Sequence, residues 1–343
     1  MKLSVGLGLI FSTFLWANPL HKEHAEAEKN FHPNYASQAT GDLKKESKRI
    51  NSERYPWPVK VLSIGHTIAS YQNYNFGGPP SPYFHHGLDI RADAGTDVLA
   101  STGGQVINIE NYVPGNKFYW EVAIKDKEGF IWQYHHIEKN SIPAKIHEAF
   151  KNQTEIEAGT KLGEVIAWNV ETFGERFDHI HLNILGKGRA YLNPFEFLEL
   201  LPDKSSPEIS NFKVIQGAIA KDNSANQGTQ YTIAAEIKDL VLSDVFVVPP
   251  NEIHMAIDEG TPFIVWKFDS LPGGASNEDY VTDFFQTQLA CGNYECRKPV
   301  INLGFNKAKQ KVFPSTPGRH NLELIVSDYN GNETRKKFEW FVN

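Results

Sequence analysis

The stretch YFHHGLDI, residues 83–90, places two adjacent histidines just ahead of an aspartate. In an extended segment alternate residues project to the same face, so His85 shares a face with Asp89 while His86 points to the other. Gly87, between them, leaves space on that face. An imidazole and a carboxylate at this spacing crowd one another unless they share a cation. The pattern therefore predicts a metal site whose remaining ligand lies elsewhere in the chain.

Two further histidine motifs can supply that ligand. DHIHLNIL, residues 178–185, carries His179 and His181 at positions i and i+2, which lie on one face of a strand. QYHHIEK, residues 133–139, contributes His136, with His135 predicted to face away. Imidazole nitrogen and carboxylate oxygen are usual zinc ligands, and a catalytic zinc site needs three of them with one position open.

Taken together and in this order, the three motifs resemble the lysostaphin-type (LytM-like) zinc metallopeptidases, which are peptidoglycan endopeptidases of bacterial cell walls. The family pattern is His-x-x-x-Asp, then Tyr-x-His, then His-x-His, and the resemblance covers roughly residues 60–200. It implies His85, Asp89 and His181 as ligands of one Zn²⁺ ion. It also implies His136 and His179 as catalytic histidines that do not bind the metal.

The reaction implied by the resemblance is metal-assisted hydrolysis of peptide cross-links in peptidoglycan. Zinc polarises the scissile carbonyl and activates water, and the two further histidines orient that water, stabilise the oxyanion and pass a proton to the leaving amine. Histidine suits these tasks because its ordinary pKa lies near neutral pH. Tyr134 and Asp178 are additional candidates for hydrogen bonds close to the ligands.

Short runs of β-forming residues bounded by turn residues predict an all-β, mainly antiparallel chain. Residues 55–202 form the expected lysostaphin-type domain, with a hairpin turn at Asp126–Gly129 and a short helix over Pro143–Phe150. Residues 207–343 alternate in the manner of a β-sandwich of the immunoglobulin-like kind. The Tyr329–Asn332 segment (YNGN) predicts a hairpin between its last two strands.

The N-terminal sequence, the cysteines and the net charge indicate the location and the partners to expect for the chain. Residues 1–17 resemble a secretory signal peptide, and the polar residues 18–54 are expected to form a mobile leader or linker. We therefore expect an exported protein, periplasmic or secreted, with no membrane span in the mature chain. The only two cysteines, Cys291 and Cys296, are predicted to form a disulfide. A net charge of −7 without basic runs argues against nucleic acid as a partner.

Three alternatives share these features. One is a non-catalytic activator of wall hydrolases with the same fold, although such proteins lack the metal ligands that this chain keeps. Another is a wall-binding protein led by its C-terminal sandwich. The last is a zinc carboxypeptidase that trims stem peptides, which has the same ligand set. The bond that is cut, the source of the wall, the ligand of residues 207–343 and the oligomeric state are open.

Overall fold

A computed structural model of the chain describes eight stretches: residues 33–45, 53–74, 81–168, 177–242, 246–271, 280–291, 298–305 and 312–343. The predicted signal peptide, most of the leader and Cys296 lie outside the described residues. Cys291 itself is disulfide-bonded. Among the described residues, none of the helices has the length and apolar character needed to cross a bilayer.

Up to residue 192, the described part of the chain contains twelve short strands. They are β1 Ser63–Ile64, β2 Tyr71–Tyr74, β3 Ser81–Phe84, β4 Leu88–Arg91, β5 Asp97–Leu99, β6 Gly104–Asn111, β7 Trp120–Lys125, β8 Ile131–His135, β9 Glu155–Ile156, β10 Lys161–Glu164, β11 His179–Gly186 and β12 Ala190–Leu192. Eight of them form one sheet in the spatial order β1-β4-β11-β8-β7-β6-β9, with β12 beside β11. Every pairing in this sheet is antiparallel, which confirms the predicted fold class.

Alternation along β11 decides which side chains enter the core. Ile180, Leu182 and Ile184 belong to the hydrophobic core beneath the main sheet. His181 and Asn183, the residues between them, project to the opposite face and are also buried, so both faces of this central strand are covered. The eight-stranded sheet, called the large sheet below, therefore presents a row of polar side chains on a face that other parts of the chain enclose.

The local predictions for this part of the chain hold. The turn at Asp126–Gly129 joins β7 to β8, and helix α1 spans Ala144–Asn152 with Pro143 as its N-cap residue. A single 3₁₀ turn, Pro194–Glu196, follows β12.

Asp126 organises the β7–β8 turn and should make stability depend on pH. Its carboxylate accepts hydrogen bonds from the backbone N–H groups of Glu128 and Phe130 and from Trp132 Nε1. Burial outweighs these bonds and raises the pKa of Asp126 from 3.8 to about 6. The native state therefore keeps a proton that the unfolded chain releases between these values. The free energy of unfolding should fall across this window by up to about 3 kcal/mol.

Urea unfolding of the wild type and Asp126→Asn at pH 4, 5, 6 and 7 tests this dependence. Because asparagine does not titrate, the advantage of the wild type over the variant should shrink as the pH rises from 4 to 7. The exposed Asp222, replaced by asparagine, serves as the control and should show no such trend. A wild-type advantage that stays constant or grows across the window would contradict the expectation.

Of the other strands up to residue 192, β2 pairs with β3 and β5 with β10, and the strands after residue 192 form two facing sheets. They are β13 Glu208–Gln216, β14 Ile219–Lys221, β15 Ser224–Ala225, β16 Thr232–Lys238, β17 Glu252–Ile257, β18 Phe263–Lys267, β19 Val300–Asn302, β20 Gly318–Ser327 and β21 Glu333–Val342, with short helices α2 Val281–Phe284 and α3 Thr287–Cys291. One sheet has the order β14-β13-β16-β19 and the other β15-β21-β20-β17-β18. Their inner faces share one hydrophobic core, as in a β-sandwich. The immunoglobulin-like classification of this part stays a prediction.

Contacts also join the two halves. Tyr71 on β2 and Phe84 on β3 pack against Phe285, which follows α2, with ring centroids 5.2 and 6.1 Å apart respectively. The Asn193 backbone N–H donates to the Asp269 carbonyl, at 2.9 Å. The division into domains at 55–202 and 207–343 remains a proposal, although the strands of the large sheet and of the two facing sheets do separate along the chain.

The described part of the predicted leader is not a separate linker. Residues 34–38 form a 3₁₀ helix, and Ala36 and Ala39 are buried. The backbone N–H groups of Thr40 and Gly41 both donate to the carbonyl of Gly129 in the β7–β8 turn. For this segment the expectation of a mobile leader was wrong, because a few small apolar residues are enough to anchor a polar stretch against the large sheet.

Candidate metal centre

Three predicted ligands converge above the centre of the large sheet. His85 precedes β4, Asp89 lies within it, and His181 lies opposite Asp89 on the neighbouring strand β11. His85 Nε2 and His181 Nδ1 lie 3.1 and 3.0 Å from the same oxygen, Asp89 Oδ1. One ligand atom from each residue lies within 4.8 Å of the others, and all three side chains are buried.

In each imidazole, the ring nitrogen on the side away from Asp89 makes a hydrogen bond that fixes the orientation of the ring. His85 Nδ1 donates to the carbonyl of Thr67, at 3.2 Å, and His181 Nε2 donates to Asn183 Oδ1, at 2.8 Å. In the neutral rings the nitrogen lone pairs therefore face the Asp89 carboxylate. A shared cation would be coordinated by these lone pairs and by the carboxylate. A metal-binding histidine usually donates its other ring N–H to an oxygen, as both imidazoles do here. The residues present therefore fit a zinc ion.

Asp89 is held in its ionised form. Burial raises the pKa of this carboxyl. When the imidazoles are protonated, the positive charges of His85 and His179 and the hydrogen bonds from His181 and His85 lower it by more, so the net result is a pKa well below the ordinary value. A carboxylate that stays charged in a buried site can serve as an anionic ligand across the neutral pH range.

The two remaining predicted histidines lie beside this cluster. His179 Nδ1 donates to the carbonyl of Phe177, at 2.6 Å, and its Nε2 lies 3.7 Å from Asp89 Oδ1. His136 Nδ1 donates to the carbonyl of Phe118, at 2.8 Å. The two rings have centroids 4.7 Å apart and are fully buried. Because each Nδ1 donates to a carbonyl, each ring in its neutral form carries its lone pair on Nε2.

Aromatic side chains hold these rings in place. Trp168 stacks on His179, with centroids 5.2 Å apart, and meets the edge of His136 at 4.7 Å. Phe118 stacks on the other side of Trp168. Asp178 Oδ1 accepts the backbone N–H of Trp168, at 2.8 Å, so Asp178 acts on the site by positioning Trp168. The ETFGERF segment before it lies mostly outside the described residues.

Two adjacent residues on β8 depart from their sequence-based assignments. Tyr134, a candidate for hydrogen bonding near the ligands, lies in the core, where its hydroxyl accepts the backbone N–H of Ser101. His135 was predicted to face away, and this was wrong. It pairs directly with His181 across the sheet, and the two rings are 5.2 Å apart. His136 also reaches the site because its φ of 66° breaks the alternation after the strand.

Behind His181 runs a chain of polar side chains that the sequence did not reveal. Asn183 Nδ2 donates to Gln133 Oε1, at 3.3 Å, and Gln133 Nε2 donates to the Tyr35 hydroxyl, at 2.7 Å. The Tyr35 hydroxyl in turn donates to Glu121, whose other oxygen lies 3.1 Å from His135 Nε2. This polar network links the leader segment to the predicted metal ligand.

Gly87 makes the close approach of His181 and Asn183 possible. A Cβ atom at this position would lie 2.2 Å from Asn183 Oδ1 and 2.9 Å from His181 Nε2. The space that this glycine leaves is therefore taken by the far side of the ligand and its hydrogen-bond partner, rather than by the ion as expected from the motif.

Replacing Asn183 by alanine should lower the affinity for zinc about 10–100-fold, because His181 Nε2 loses the acceptor that orients its ring. Competition with a chromogenic zinc chelator measures this affinity. Asn183→Asp keeps an oxygen acceptor and should retain most of the binding. An alanine variant that binds zinc as tightly as the wild type would show that the hydrogen bond does not orient the ligand.

A second aromatic group, missed by sequence reasoning, borders the site next to His85. His66 lies 5.6 Å from the ring of His85 and 4.9 Å from that of Phe246, a residue contributed by the second half of the chain. Phe177 packs against Phe246, and the Arg91 guanidinium lies 5.7 Å from the Phe177 ring. These contacts join loops that are distant in sequence, and no spacing within a motif signals them.

The comparisons with known proteins concern the same part of the chain. The sequence model of the family described as "Peptidase family M23" matches residues 83–194. This range contains all five predicted site residues, His85, Asp89, His136, His179 and His181. No curated protein sequence matches the chain.

Three solved structures are similar over parts of the chain. Csd3 from Helicobacter pylori is 18% identical, with 44% of this chain and 35% of that one covered and a TM-score of 0.29. A putative peptidase M23 from Pseudomonas aeruginosa is 22% identical, with 47% and 63% covered and a TM-score of 0.26. A putative glycyl-glycine endopeptidase lytM from Ruminococcus gnavus is 22% identical, with 41% and 60% covered and a TM-score of 0.25. The chain thus spans less than two thirds of the length of each, and at these TM-scores the similarity carries no argument about function.

Proposed function

We propose, from the match of residues 83–194 to the sequence model of peptidase family M23, that the chain is an exported zinc metalloendopeptidase that hydrolyses peptide cross-links of bacterial peptidoglycan. The observation that carries the proposal is the convergence of His85 Nε2 and His181 Nδ1 on one oxygen of the buried Asp89. Two imidazoles and a carboxylate are a complete protein ligand set for catalytic zinc, with one position left for water or substrate.

When bound, zinc would polarise the scissile carbonyl and lower the pKa of a water molecule toward neutrality. The residues of the chain supply the proton chemistry. His136 and His179 carry their protons on Nδ1, held by the Phe118 and Phe177 carbonyls, and so their Nε2 atoms can accept a proton from water. Once protonated, the same Nε2 atom donates to the developing oxyanion or to the leaving amine.

Burial contributes to this chemistry. The side chains of His136 and His179 are fully buried against Trp168, in surroundings where hydrogen bonds to a developing charge are stronger than in water. The stacked indole also prevents the His179 ring from rotating away from Asp89. These contacts support the proposed roles of His136 and His179 beside the ligand set.

Fragment analysis by mass spectrometry tests the proposal. Zinc-loaded protein incubated with purified sacculi should convert cross-linked muropeptides into uncross-linked ones, and His179→Ala protein should leave the sacculi unchanged. Shortened stem peptides with intact cross-links would instead identify a carboxypeptidase. Absence of any cleavage by zinc-replete protein on sacculi with different cross-links would favour a non-catalytic activator or wall-binding protein.

Export is part of the proposal and rests on the resemblance of residues 1–17 to a signal peptide. Peptidoglycan lies outside the cytoplasmic membrane, so the proposed substrate requires export. Expression of the full chain and of a version lacking residues 1–17, followed by fractionation of the cells, should give the protein outside the cytoplasm only for the full chain. Retention of both in the cytoplasm would contradict it.

A further inference from the structure

A second cluster of carboxylates lies where the two halves of the chain meet. Asp203 belongs to the connection between β12 and β13, Asp239 follows β16, and Asp328 follows β20 in the last hairpin. One carboxylate oxygen from each lies within 4.8 Å of the others. Three segments that are distant in sequence therefore bring three carboxyl groups to one point, outside the site described above.

Asp239 is the unusual member of this joint cluster. Its side chain is only 1% exposed. Oδ1 accepts the backbone N–H of Leu240, at 2.8 Å, whereas Oδ2 is buried and accepts no hydrogen bond. Oδ2 of Asp203 is likewise buried without a hydrogen bond. A buried carboxylate oxygen that accepts no hydrogen bond has lost its hydration without compensation, so a cation is expected beside it.

In the described part of the chain, no side-chain cation fills that role. Among the residues that the structure describes, none of the three carboxylates forms an ion pair with a lysine, an arginine or a histidine. Three carboxylates this close repel one another in a poorly hydrated place. A bound cation offsets both the repulsion between the carboxylates and the lost hydration of their buried oxygens. This need for a cation distinguishes the cluster from an ordinary group of surface acids.

The hairpin carrying Asp328 holds its part of the cluster in place. Asp328 Oδ1 accepts the backbone N–H groups of Asn330 and Asn332, both at 2.8 Å. The side chain of Asn330 donates to the Leu201 carbonyl, at 2.8 Å, and that of Asn332 to the Asp203 carbonyl, at 3.3 Å. The hairpin is therefore already bonded to the connecting segment from which Asp203 projects.

We propose that Asp203, Asp239 and Asp328 bind one Ca²⁺ ion. The ion holds the segment between β12 and β13, which carries Asp203, against the second half of the chain. Carboxylate oxygens are the ligands of hard cations, and Ca²⁺ accepts the irregular geometry of side chains from three separate segments. Mg²⁺ demands a near-ideal octahedron and retains several waters, for which a cluster with two buried members leaves little room. This site is independent of the proposed zinc chemistry.

Thermal unfolding of the zinc-loaded full chain in calcium-free buffer, with and without added Ca²⁺, tests the proposal. At 100 times the dissociation constant, Ca²⁺ should raise the Tm of the wild type by about 5 °C, because it binds the folded chain only. NaCl at matched ionic strength should not. Asp239→Asn and Asp203→Asn should lose the rise, whereas Asp222→Asn, an exposed aspartate elsewhere, should keep it.

Two further measurements separate this site from the zinc site and from a folding defect. His181→Ala, which lacks a zinc ligand, should keep the Ca²⁺ response, since the joint cluster is unchanged. Asp239→Asn should have a Tm in calcium-free buffer no lower than that of the wild type, because it removes a repelling charge. A wild type that does not respond to Ca²⁺, a response that survives Asp239→Asn, or one that disappears in His181→Ala would each overturn the proposal. A larger rise with Mg²⁺ than with Ca²⁺ would overturn the choice of ion.

Discussion

Replacing His181 by alanine is expected to lower the affinity for zinc by at least about 100-fold and to abolish peptidase activity with it. Zinc sites of four protein ligands bind with apparent free energies of about 10–16 kcal/mol, so the loss of one ligand costs about 3 kcal/mol or more. The described residues bring three protein ligands together here, and the two that remain, His85 and Asp89, cannot enclose the ion. Zinc content after dialysis, measured by atomic emission, reports the loss directly.

His135→Ala is the matched control for this experiment. His135 is also a buried imidazole, pairs with His181 across the sheet, and has its ring centroid 5.2 Å from that of His181. It lies outside the ligand set, and its Nε2 faces Glu121 at 3.1 Å. We therefore expect His135→Ala to retain zinc. If the His135 variant lost zinc while the His181 variant kept it, the ligands would have been assigned to the wrong histidine.

His179→Ala is expected to keep zinc at the wild-type stoichiometry and to lower kcat by about 10²–10⁴-fold, the range for removal of a general acid or base. His179 Nε2 lies 3.7 Å from the Asp89 oxygen that both ligand imidazoles approach, and its Nδ1 is engaged by the Phe177 carbonyl. The ring thus lies beside the metal position without being needed to fill it. Rates of muropeptide cleavage and zinc content, measured on one preparation, separate the two effects.

His86→Ala provides the comparison for His179→Ala. His86 is adjacent to a ligand in sequence but stacks on Tyr191, with centroids 4.8 Å apart, away from the cluster. The activity of this variant should stay near that of the wild type after correction for any loss of folded protein. Loss of zinc in His179→Ala in proportion to the loss of activity would instead make His179 a ligand.

The sequence predicted the parts of the site that depend on local geometry. His85 and Asp89 were placed together by their spacing, and the alternation in β11 separated His181 from the core residues Ile180 and Leu182. Local alternation is a property of the backbone and can be read from a single strand. The mainly antiparallel fold class followed from the same patterns and from the turn at Asp126–Gly129.

What the sequence could not predict depends on register between strands and on single backbone angles. His135 shares a face with His181 because β8 and β11 pair in one particular register, and no residue type records that register. His136 turns into the site through a positive φ that its sequence does not announce. The hydrogen bond between Gln133 and Tyr35 joins residues 98 apart, in a segment whose polar composition predicted a linker.

A zinc ion bound by His85, Asp89 and His181 can be observed in a crystal of the zinc-loaded chain. Diffraction data collected on both sides of the zinc absorption edge locate the ion. We expect an anomalous peak about 2 Å from His85 Nε2, an oxygen of Asp89 and His181 Nδ1. A zinc-replete crystal with no peak between these three side chains, or with the ion held by other residues, would contradict this expectation.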